Sequence, residues 1–449
     1  MKIIFISLGC DKNLVDSEVM TGLLHDQGYE FTEDESEADV IIINTCCFIN
    51  DAKEESIQTI LEMAEYKNSE IGCCKALIVT GCLAQRYQKE ITEEIPEVDA
   101  IVGTTAYDKI NEAIEQVLKN GHGEQFASID TLALTETKRM LTTGGHYAYL
   151  KIAEGCDKRC TYCIIPSLRG KYRSVPIERL VKEAQGLVAD GVKELILIAQ
   201  ETTVYGKDLY GKKSLTGLIR ELAKIDGLYW IRLLYCYPEE IDDDLILLMK
   251  EEKKLCHYLD LPIQHASDQI LKRMGRRTNQ ESLRKLIGKL RAEIPDICLR
   301  TTLITGFPGE TEEDHALLMD FIDDMEFDRL GVFTYSMEED TVAATWPDQI
   351  EEELKKDRQA ELMELQQEIA FQKAEERIGQ ELYAFIEGKV VDENAYVTRT
   401  YMDAPNVDGY LFINTDEELM SGDFVKVRVT GALEYDLIGK LNDACMKRN

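Results

Sequence analysis

Gly155-Cys156-Asp157-Lys158-Arg159-Cys160-Thr161-Tyr162-Cys163 is the stretch that says most about this chain. Its cysteines form a CxxxCxxC run directly after a predicted strand, 148–155. Three thiolates this close together can face one point, which is typical of an iron–sulfur cluster held by cysteine sulfur. Because only three ligands are local, one iron of such a cluster can stay open. Three buried free thiols, or a zinc site completed elsewhere, are the alternatives, although zinc knuckles usually carry a fourth ligand at short spacing.

The strand before the cysteines opens a series of six predicted strand–helix units. The predicted strands are 148–155, 192–200, 228–235, 256–262, 297–306 and 328–336. Six such units suit a partial, open parallel (β/α)6 barrel, whose functional site lies at the carboxyl ends of the strands. The cysteine run is therefore predicted at a barrel mouth. An acidic stretch, 351–377, follows and is predicted to be a solvated amphipathic helix.

The first part of the chain alternates buried strands and helices, which predicts a doubly wound parallel sheet. The strand patterns are KIIFIS, VIIIN, ALIVT and DAIVG. Cys10, Cys46 and Cys82 follow the first three of these strands, and 35 residues separate each successive pair. Since the carboxyl ends of parallel strands meet at one edge, where open α/β sheets bind ligands, three thiols there favour a second cluster. Chance placement of core cysteines is the alternative.

The end of the chain changes to short strands without helices, which predicts a small β-barrel. Turn signals such as Asp408-Gly409 and Ser421-Gly422 separate these strands. The whole chain is therefore predicted to be an α/β protein with an additional β-barrel. The predicted boundaries are 1–120 for the first domain, 121–146 for a linker, 147–375 for the barrel with its connecting helix, and 376–443 for the last domain.

Composition limits the classes of function. With 84 acidic and 51 basic residues among 449, the formal net charge is −33, and 44% of the residues are hydrophobic. These values exclude disordered and fibrous proteins, and they disfavour a large nucleic-acid or anionic-membrane footprint. Thirteen cysteines, an odd number, without an export signal favour reduced thiols in the cytoplasm. No apolar stretch approaches the length of a membrane span.

The CxxxCxxC run, with Tyr162 before its last cysteine, resembles the signature of radical S-adenosylmethionine enzymes. The resemblance implies a 4Fe–4S cluster whose open iron chelates S-adenosylmethionine, and one electron then generates a 5′-deoxyadenosyl radical. The implied cluster ligands are Cys156, Cys160 and Cys163. The resemblance also implies that the backbone near Tyr162 lies against the adenine and that Gly306 approaches the nucleoside. The sequence around Gly306 is equally typical of an ordinary Pro-Gly turn.

Taken over nearly its whole length, the chain resembles the methylthiotransferase family of these enzymes. The resemblance implies an auxiliary 4Fe–4S cluster that carries sulfur and is bound by Cys10, Cys46 and Cys82. It also implies a last domain of the TRAM type. S-Adenosylmethionine serves twice in such enzymes, as methyl donor and as radical source. An electron donor such as flavodoxin or ferredoxin is implied as a partner.

One position departs from the family pattern. Cys47 directly follows Cys46, where a small residue such as glycine is expected, so either thiol could bind iron. We favour Cys46, because neighbouring residues at a strand end point in different directions and Cys46 lies in the Asn-Thr-Cys context of the family motif.

Two stretches resemble one branch of the family, which modifies the β-carbon of an aspartate in small-subunit ribosomal protein twelve. They are SLGCDKNLVDSE, 7–18, and DAPNVDG, 403–409. Residues 376–441 contain 13 acidic and 6 basic residues, a net charge of −7, which suits a basic ribosomal protein better than transfer RNA. Methylthiolation of transfer RNA adenosine is the alternative. A two-cluster electron carrier or scaffold is an alternative of another class, but a carrier would normally complete each cluster with four cysteines.

Overall fold

The computed structural model describes residues 1–133, 138–391 and 393–442. These ranges contain two six-stranded sheets, a closed five-stranded barrel and a two-stranded ribbon. The strands are β1 (Lys2–Ser7), β2 (Glu30–Phe31), β3 (Val40–Thr45), β4 (Ala76–Gly81), β5 (Ala100–Val102), β6 (Gly123–Gln125), β7 (Tyr147–Lys151), β8 (Ala153–Glu154), β9 (Arg173–Ser174), β10 (Glu194–Ile198), β11 (Trp230–Leu233), β12 (Leu255–Asp260), β13 (Cys298–Thr305), β14 (Arg329–Thr334), β15 (Glu381–Lys389), β16 (Ala395–Thr400), β17 (Leu411–Asn414), β18 (Phe424–Leu433) and β19 (Asp436–Leu441).

Fourteen α-helices are found within the described ranges. They are α1 (Asp11–Asp26), α2 (Asn50–Ala64), α3 (Cys82–Arg86), α4 (Gln88–Glu94), α5 (Ile110–Asn120), α6 (Ile165–Arg169), α7 (Ile177–Ala189), α8 (Lys207–Tyr210), α9 (Leu215–Ala223), α10 (Asp243–Glu251), α11 (Asp268–Arg273), α12 (Gln280–Glu293), α13 (Glu312–Met325) and α14 (Glu352–Glu376). None of the helices in this part of the chain is long and apolar enough to cross a membrane.

The N-terminal sheet has the order β2-β1-β3-β4-β5-β6, and every pair in it is parallel. All six residues of β3 and all six of β4 are buried, as expected for strands covered by helices on both faces. The predicted doubly wound sheet is confirmed. The edge strand β6 lies inside the segment that the sequence predicts as a linker, so the sheet extends farther than its apolar patterns suggest.

The second sheet has the order β14-β13-β12-β11-β10-β7, again with every pair parallel. It does not close, because β7 and β14 are its two edges, and this confirms the predicted partial barrel of six units. Helix α14 lies against β14 and α13. The sequence predicts α14 to be solvated, but Lys355, Arg358 and Leu362 are buried in this contact.

The last domain is a closed barrel with the strand order β15-β16-β17-β19-β18, as predicted for a TRAM-type domain. Its loop between β16 and β17 reaches the face of the second sheet that is not covered by helices. There Arg232 donates to the carbonyl of Tyr401 (2.6 Å), and the Tyr258 hydroxyl donates to Asp408 (2.7 Å). The DAPNVDG stretch therefore packs against the open barrel through its acidic residues, while Asn406 and Val407 at its centre are exposed.

Candidate functional site

Three strand ends of the N-terminal sheet bring Cys10, Cys46 and Cys82 to one edge. Cys10 lies between β1 and α1, Cys46 follows β3, and Cys82 begins α3 directly after β4. Gly9 has a φ of +87°, and a Cβ added to it would lie 2.5 Å from the Cβ of Cys46 and 2.9 Å from its Sγ. The chain segments that follow β1 and β3 are therefore in contact. A larger residue at Gly9 would push Cys10 and Cys46 apart.

The side chain of Asn13 links these strand ends. It is fully buried, and its Nδ2 donates to the carbonyls of Leu8 (3.1 Å) and Thr45 (3.0 Å). Its Oδ1 lies 4.0 Å from the Sγ of Cys82. One amide thus contacts the loops that carry all three cysteines. The sequence analysis did not identify Asn13; its signal is a polar residue one helical turn after Cys10.

Arg169, at the end of α6, places a positive charge beside this site. Its Nη2 donates to the Oδ1 of Asn13 (2.5 Å) and lies 3.6 Å from the Sγ of Cys82. Its Nη1 donates to Asp16 (2.9 Å) and Glu154 (3.1 Å), and the arginine side chain is only 2% exposed. Since Glu154 ends β8, directly before the CxxxCxxC loop, a buried ionic cluster connects the two cysteine sets. No pattern in the sequence indicated Arg169.

The thiols at this edge influence one another. Burial, together with the charges of Cys82 and Cys10, raises the pKa of the Cys46 thiol to about 12. Burial also raises the pKa of Cys82, against the effect of Arg169. Three thiolates here would repel one another, and bound iron would relieve that repulsion. The residues present therefore fit an iron–sulfur cluster.

No group of three or more His, Cys, Asp or Glu among the described residues lies close enough to hold one metal ion. A 4Fe–4S cluster does not require such a group, because each cysteine binds a different iron and the sulfurs stand farther apart than around one ion.

Cys47 and Cys46 have different surroundings. Cys47 is fully buried and its carbonyl accepts from Arg86 (3.4 Å), whereas Cys46 lies against the position of Gly9 beside Cys10. This contrast supports Cys46 as the iron ligand, which stays a prediction.

The second cysteine set lies on a single loop between β8 and α6. The backbone N–H of Cys156 donates to the carbonyl of Gly170 (3.1 Å), and that of Cys163 donates to Cys160 (3.1 Å). Burial raises the pKa of Cys156 to about 11, with a smaller contribution from the charge of Cys160. Burial also raises the pKa of Cys163, and the charges of Cys160 and Cys156 add to the effect. The three thiols therefore stand close together and fit a second cluster.

Charged and aromatic side chains surround this loop. The hydroxyl of Tyr237 lies 3.5 Å from the Sγ of Cys160, and the Arg276 guanidinium lies 4.1 Å from the centroid of the Tyr237 ring. Lys158 pairs with Glu240 (2.5 Å) and with Glu201 (3.5 Å). Burial raises the pKa of Glu201 to about 7, although Lys158 opposes the shift.

Tyr162 lines a cavity at the barrel mouth, whereas Gly306 is not among the lining residues. Tyr162 lines a cavity of about 180 Å³ together with Gln264, Ile304 and, from the N-terminal domain, Phe48. Gly306 has a φ of +69°, and a Cβ on it would lie 2.2 Å from the Cγ of Lys355. Packing against Lys355 therefore explains why a residue without a side chain is found at position 306. Contact of Tyr162 and Gly306 with a nucleoside stays a prediction.

A buried ion pair closes the N-terminal domain onto the barrel mouth. Arg86, the last residue of α3, donates from Nη1 to Glu338 (2.8 Å) and from Nη2 to the carbonyl of Glu339 (2.8 Å). The side chains of Arg86 and Glu338 are 6% and 3% exposed. Because α3 begins at Cys82, this short helix connects the first cysteine set to the loop after β14.

Comparison with protein families divides the chain into three matching parts. Residues 2–103 match the uncharacterized protein family UPF0004, residues 150–322 match the radical SAM superfamily, and residues 378–441 match the TRAM domain. Among solved structures, the radical S-adenosylmethionine methyltransferase TsrM from Kitasatospora setae has a TM-score of 0.52 at 15% identity, covering 74% of both chains. The cobalamin-dependent radical enzyme OxsB has a TM-score of 0.52 at 13% identity, covering 81% of this chain and 56% of its own. These two structures show the fold.

Closer similarity is found to relatives called ribosomal protein uS12 methylthiotransferase RimO. The relative from Lachnoclostridium phytofermentans is 67% identical over 98% of this chain and 99% of its own, and the one from Acetivibrio thermocellus is 53% identical over 98% of both. A relative from Clostridium botulinum is 50% identical over 98% of both chains. With identities this high along nearly its full length, the chain belongs to the RimO family of ribosomal protein uS12 methylthiotransferases.

Proposed function

We propose that this protein transfers a methylthio group to the β-carbon of an aspartate in ribosomal protein uS12. The observation that carries the proposal is the 67% identity to a relative with that name over nearly both full chains. Two separate three-cysteine sets, joined by a buried ionic cluster, are the features that such a reaction needs.

Two 4Fe–4S clusters and S-adenosylmethionine are the cofactors of this family. In this chain Cys10, Cys46 and Cys82 would hold the auxiliary cluster, and Cys156, Cys160 and Cys163 would hold the barrel cluster. When bound, these groups supply a hydrogen-abstracting radical and the sulfur to be transferred. Tyr162 and Gly306 are proposed to approach the nucleoside.

The protein's own contribution is to hold its parts in fixed positions. The Arg86–Glu338 pair and the Arg169 cluster both join the N-terminal domain to the barrel, and both are buried. Fixing reacting groups in one geometry removes much of the entropy loss that a reaction otherwise requires. The cavity lined by Tyr162, Ile304 and Phe48 is mostly apolar, so it would limit the access of water to a radical.

Partners follow from the same proposal. An electron donor such as flavodoxin or ferredoxin would reduce the barrel cluster, and a ribosomal substrate places the reaction in the cytoplasm. The net charge of −7 over residues 376–441 suits a basic protein and disfavours a phosphate backbone. Transfer RNA is therefore the less favoured substrate.

Mass spectrometry tests the substrate. The anaerobically reconstituted protein is incubated with S-adenosylmethionine, reductant, and either small ribosomal subunits or total transfer RNA. We expect a gain of about 46 Da, the replacement of H by SCH₃, on one aspartate of uS12. A variant with alanine at Cys156, Cys160 and Cys163 is the control and should give no product. Methylthioadenosine in the RNA, with uS12 unchanged, would contradict the proposal.

A further inference from the structure

Lys12 is a cation of low exposure that has no carboxylate partner among the described residues. It lies in the first turn of α1, two residues after Cys10, and is 7% exposed. Its Nζ lies 3.2 Å from the centroid of the Tyr235 ring. Within the described ranges, no carboxylate lies within salt-bridge distance of Lys12. Its Nζ is not among the fully buried side-chain atoms without a hydrogen-bond partner, so the ammonium stays accessible to an incoming anion. An aromatic face replaces only part of the hydration of an ammonium.

The position of Lys12 is between the two cysteine sets. Tyr235 and Tyr237 follow β11, at the carboxyl end of that strand and therefore at the barrel mouth. The Tyr235 hydroxyl donates to Asp11 (3.0 Å), next to Cys10, whereas the Tyr237 hydroxyl lies 3.5 Å from the Sγ of Cys160. One three-residue segment thus contacts both sites, and the Lys12 ammonium lies over its first tyrosine.

Nearby acidic residues are occupied by other groups. Asp11 accepts from Tyr235, Asp16 pairs with Lys151 and Arg169, and Asp260 pairs with Arg300 (2.8 Å). The loop set has a lysine at the corresponding position, and this lysine does have carboxylate partners. Lys158 lies two residues after Cys156, and it pairs with Glu240 and Glu201. Among the described residues, Lys12 therefore has no carboxylate partner, whereas Lys158 has two.

We propose that Lys12 binds the side-chain carboxylate of the substrate aspartate. The inference rests on the proposed function, since that function brings a carboxylate to this mouth. The β-carbon of aspartate is bonded directly to its carboxylate carbon, so an ion pair with Lys12 holds the reacting carbon between the two cysteine sets. It also makes the negative charge favour binding, because an uncharged side chain would not form a charge-assisted hydrogen bond with the ammonium of the same strength.

A double-mutant cycle tests this pairing. The Kd of uS12 is measured by fluorescence anisotropy for the reconstituted full chain and for Lys12→Gln, each with natural uS12 and with uS12 whose target aspartate is replaced by asparagine. We expect each single change to weaken binding about 10- to 100-fold, the range for a hydrogen bond to a charged group. In Lys12→Gln the asparagine substitution should then cause little further loss, because the partner is already gone.

Three controls make the result specific. Lys119, exposed in the last turn of α5, is replaced by Gln and should leave the Kd unchanged. Lys12→Arg keeps the charge and should recover most of the affinity. Iron content and the spectrum of the auxiliary cluster are measured for Lys12→Gln to verify that this variant folds and binds its clusters.

The proposal is overturned if the two single losses multiply in the double variant. It is also overturned if Lys12→Gln binds uS12 normally and changes only the potential of the auxiliary cluster, since Lys12 would then serve the cluster. Failure of the proposed function gives a different result: the unmodified chain would not methylthiolate uS12 at all. If the unmodified chain modified uS12 and Lys12→Gln bound uS12 with an unchanged Kd, the inference about Lys12 would be wrong and the proposed function would stand.

Discussion

The two cysteine sets hold the same number of thiols in opposite ways. Cys156, Cys160 and Cys163 come from one loop, which is fixed by backbone hydrogen bonds such as that from the Cys156 N–H to Gly170. Cys10, Cys46 and Cys82 come from three strands, and their spacing depends on the parallel sheet. The arrangement of the first set depends on one short segment of sequence, whereas the arrangement of the second set depends on the fold of the whole sheet.

Their electrostatic surroundings differ as well. In the ionic cluster between the two sets, burial disfavours the charged form of Glu154, but Arg169 and Lys151 hold the pKa of this carboxyl well below its usual range. Near the loop set, burial raises the pKa of Glu201 to about 7. A carboxyl that stays ionised thus lies between the two sets, and one that titrates near neutrality adjoins the loop set. The two sites are therefore expected to respond differently to mutation and pH.

The largest expected effect is the loss of one cluster without the other. Alanine at all three positions of either set should remove about half of the roughly eight irons expected for two 4Fe–4S clusters. Iron analysis and Mössbauer spectroscopy after anaerobic reconstitution measure the outcome. Each triple variant is the control for the other, and two variants that lose complementary halves establish two sites. Loss of all iron, or of none, from either variant would show that the sets are not independent.

A smaller change separates the adjacent thiols of the strand-end set. Cys46→Ala should abolish the spectrum of the auxiliary cluster, because Cys46 lies against the Gly9 position beside Cys10. Cys47→Ala should keep it, with a loss of stability of about 1 kcal/mol, since a small buried side chain is shortened. Electron paramagnetic resonance of the reduced proteins distinguishes the two results. The opposite pattern would assign the ligand to Cys47.

Much of this fold could be predicted because its signals are local or periodic. The strands β1, β3 and β4 are continuous apolar runs, and each ends beside a cysteine, so their order along the chain was enough to place three thiols at one edge. The short strands β2 and β6 have two and three residues and carry no such pattern. Their pairing depends on the neighbouring strand, which a sequence does not reveal.

The buried polar contacts could not be predicted, because they join residues far apart in the chain. Arg169 meets Asn13 across 156 positions, and the ion pair of Arg86 with Glu338 spans 252. The DAPNVDG stretch shows the same limit. Its sequence suggests a substrate signature, yet Asp408 accepts from Tyr258 and Asp403 pairs with Arg329 inside the molecule. Its acidic residues are therefore explained by packing against the barrel.

A cross-comparison of two arginines tests whether each site has its own electrostatic surroundings. Arg169→Gln should make the potential of the auxiliary cluster more negative, because a positive charge 3.6 Å from the Sγ of Cys82 favours the reduced form. We expect a shift of about 50 to 100 mV, where about 59 mV is a tenfold change for one electron. Arg276→Gln should shift only the barrel cluster, since its guanidinium packs on Tyr237 beside Cys160. Potentiometric titration measures both, and a variant that shifts both clusters equally would contradict the separation.

The most gradual expected effect is a pH dependence that belongs to the loop set alone. Glu201 is neutral in the folded chain up to about pH 7, whereas the same carboxyl ionises near 4.5 in the unfolded chain. Between pH 4.5 and pH 7, folding is therefore coupled to the uptake of one proton by Glu201. The free energy of unfolding should consequently fall by about 2 to 3 kcal/mol as the pH rises through this window. Glu201→Gln should lack this pH dependence. Urea unfolding of the reduced unmodified chain and of the reduced variant at pH 5, 6 and 7 measures how their free energies of unfolding differ. Glu154→Gln is the matched comparison, because Glu154 lies between the two sets, where Arg169 and Lys151 keep the carboxylate ionised. Glu154→Gln should destabilise the chain by a similar amount at all three pH values. If the free energy of unfolding of Glu201→Gln changed with pH in parallel with that of the unmodified chain, the loop set would have no titrating neighbour.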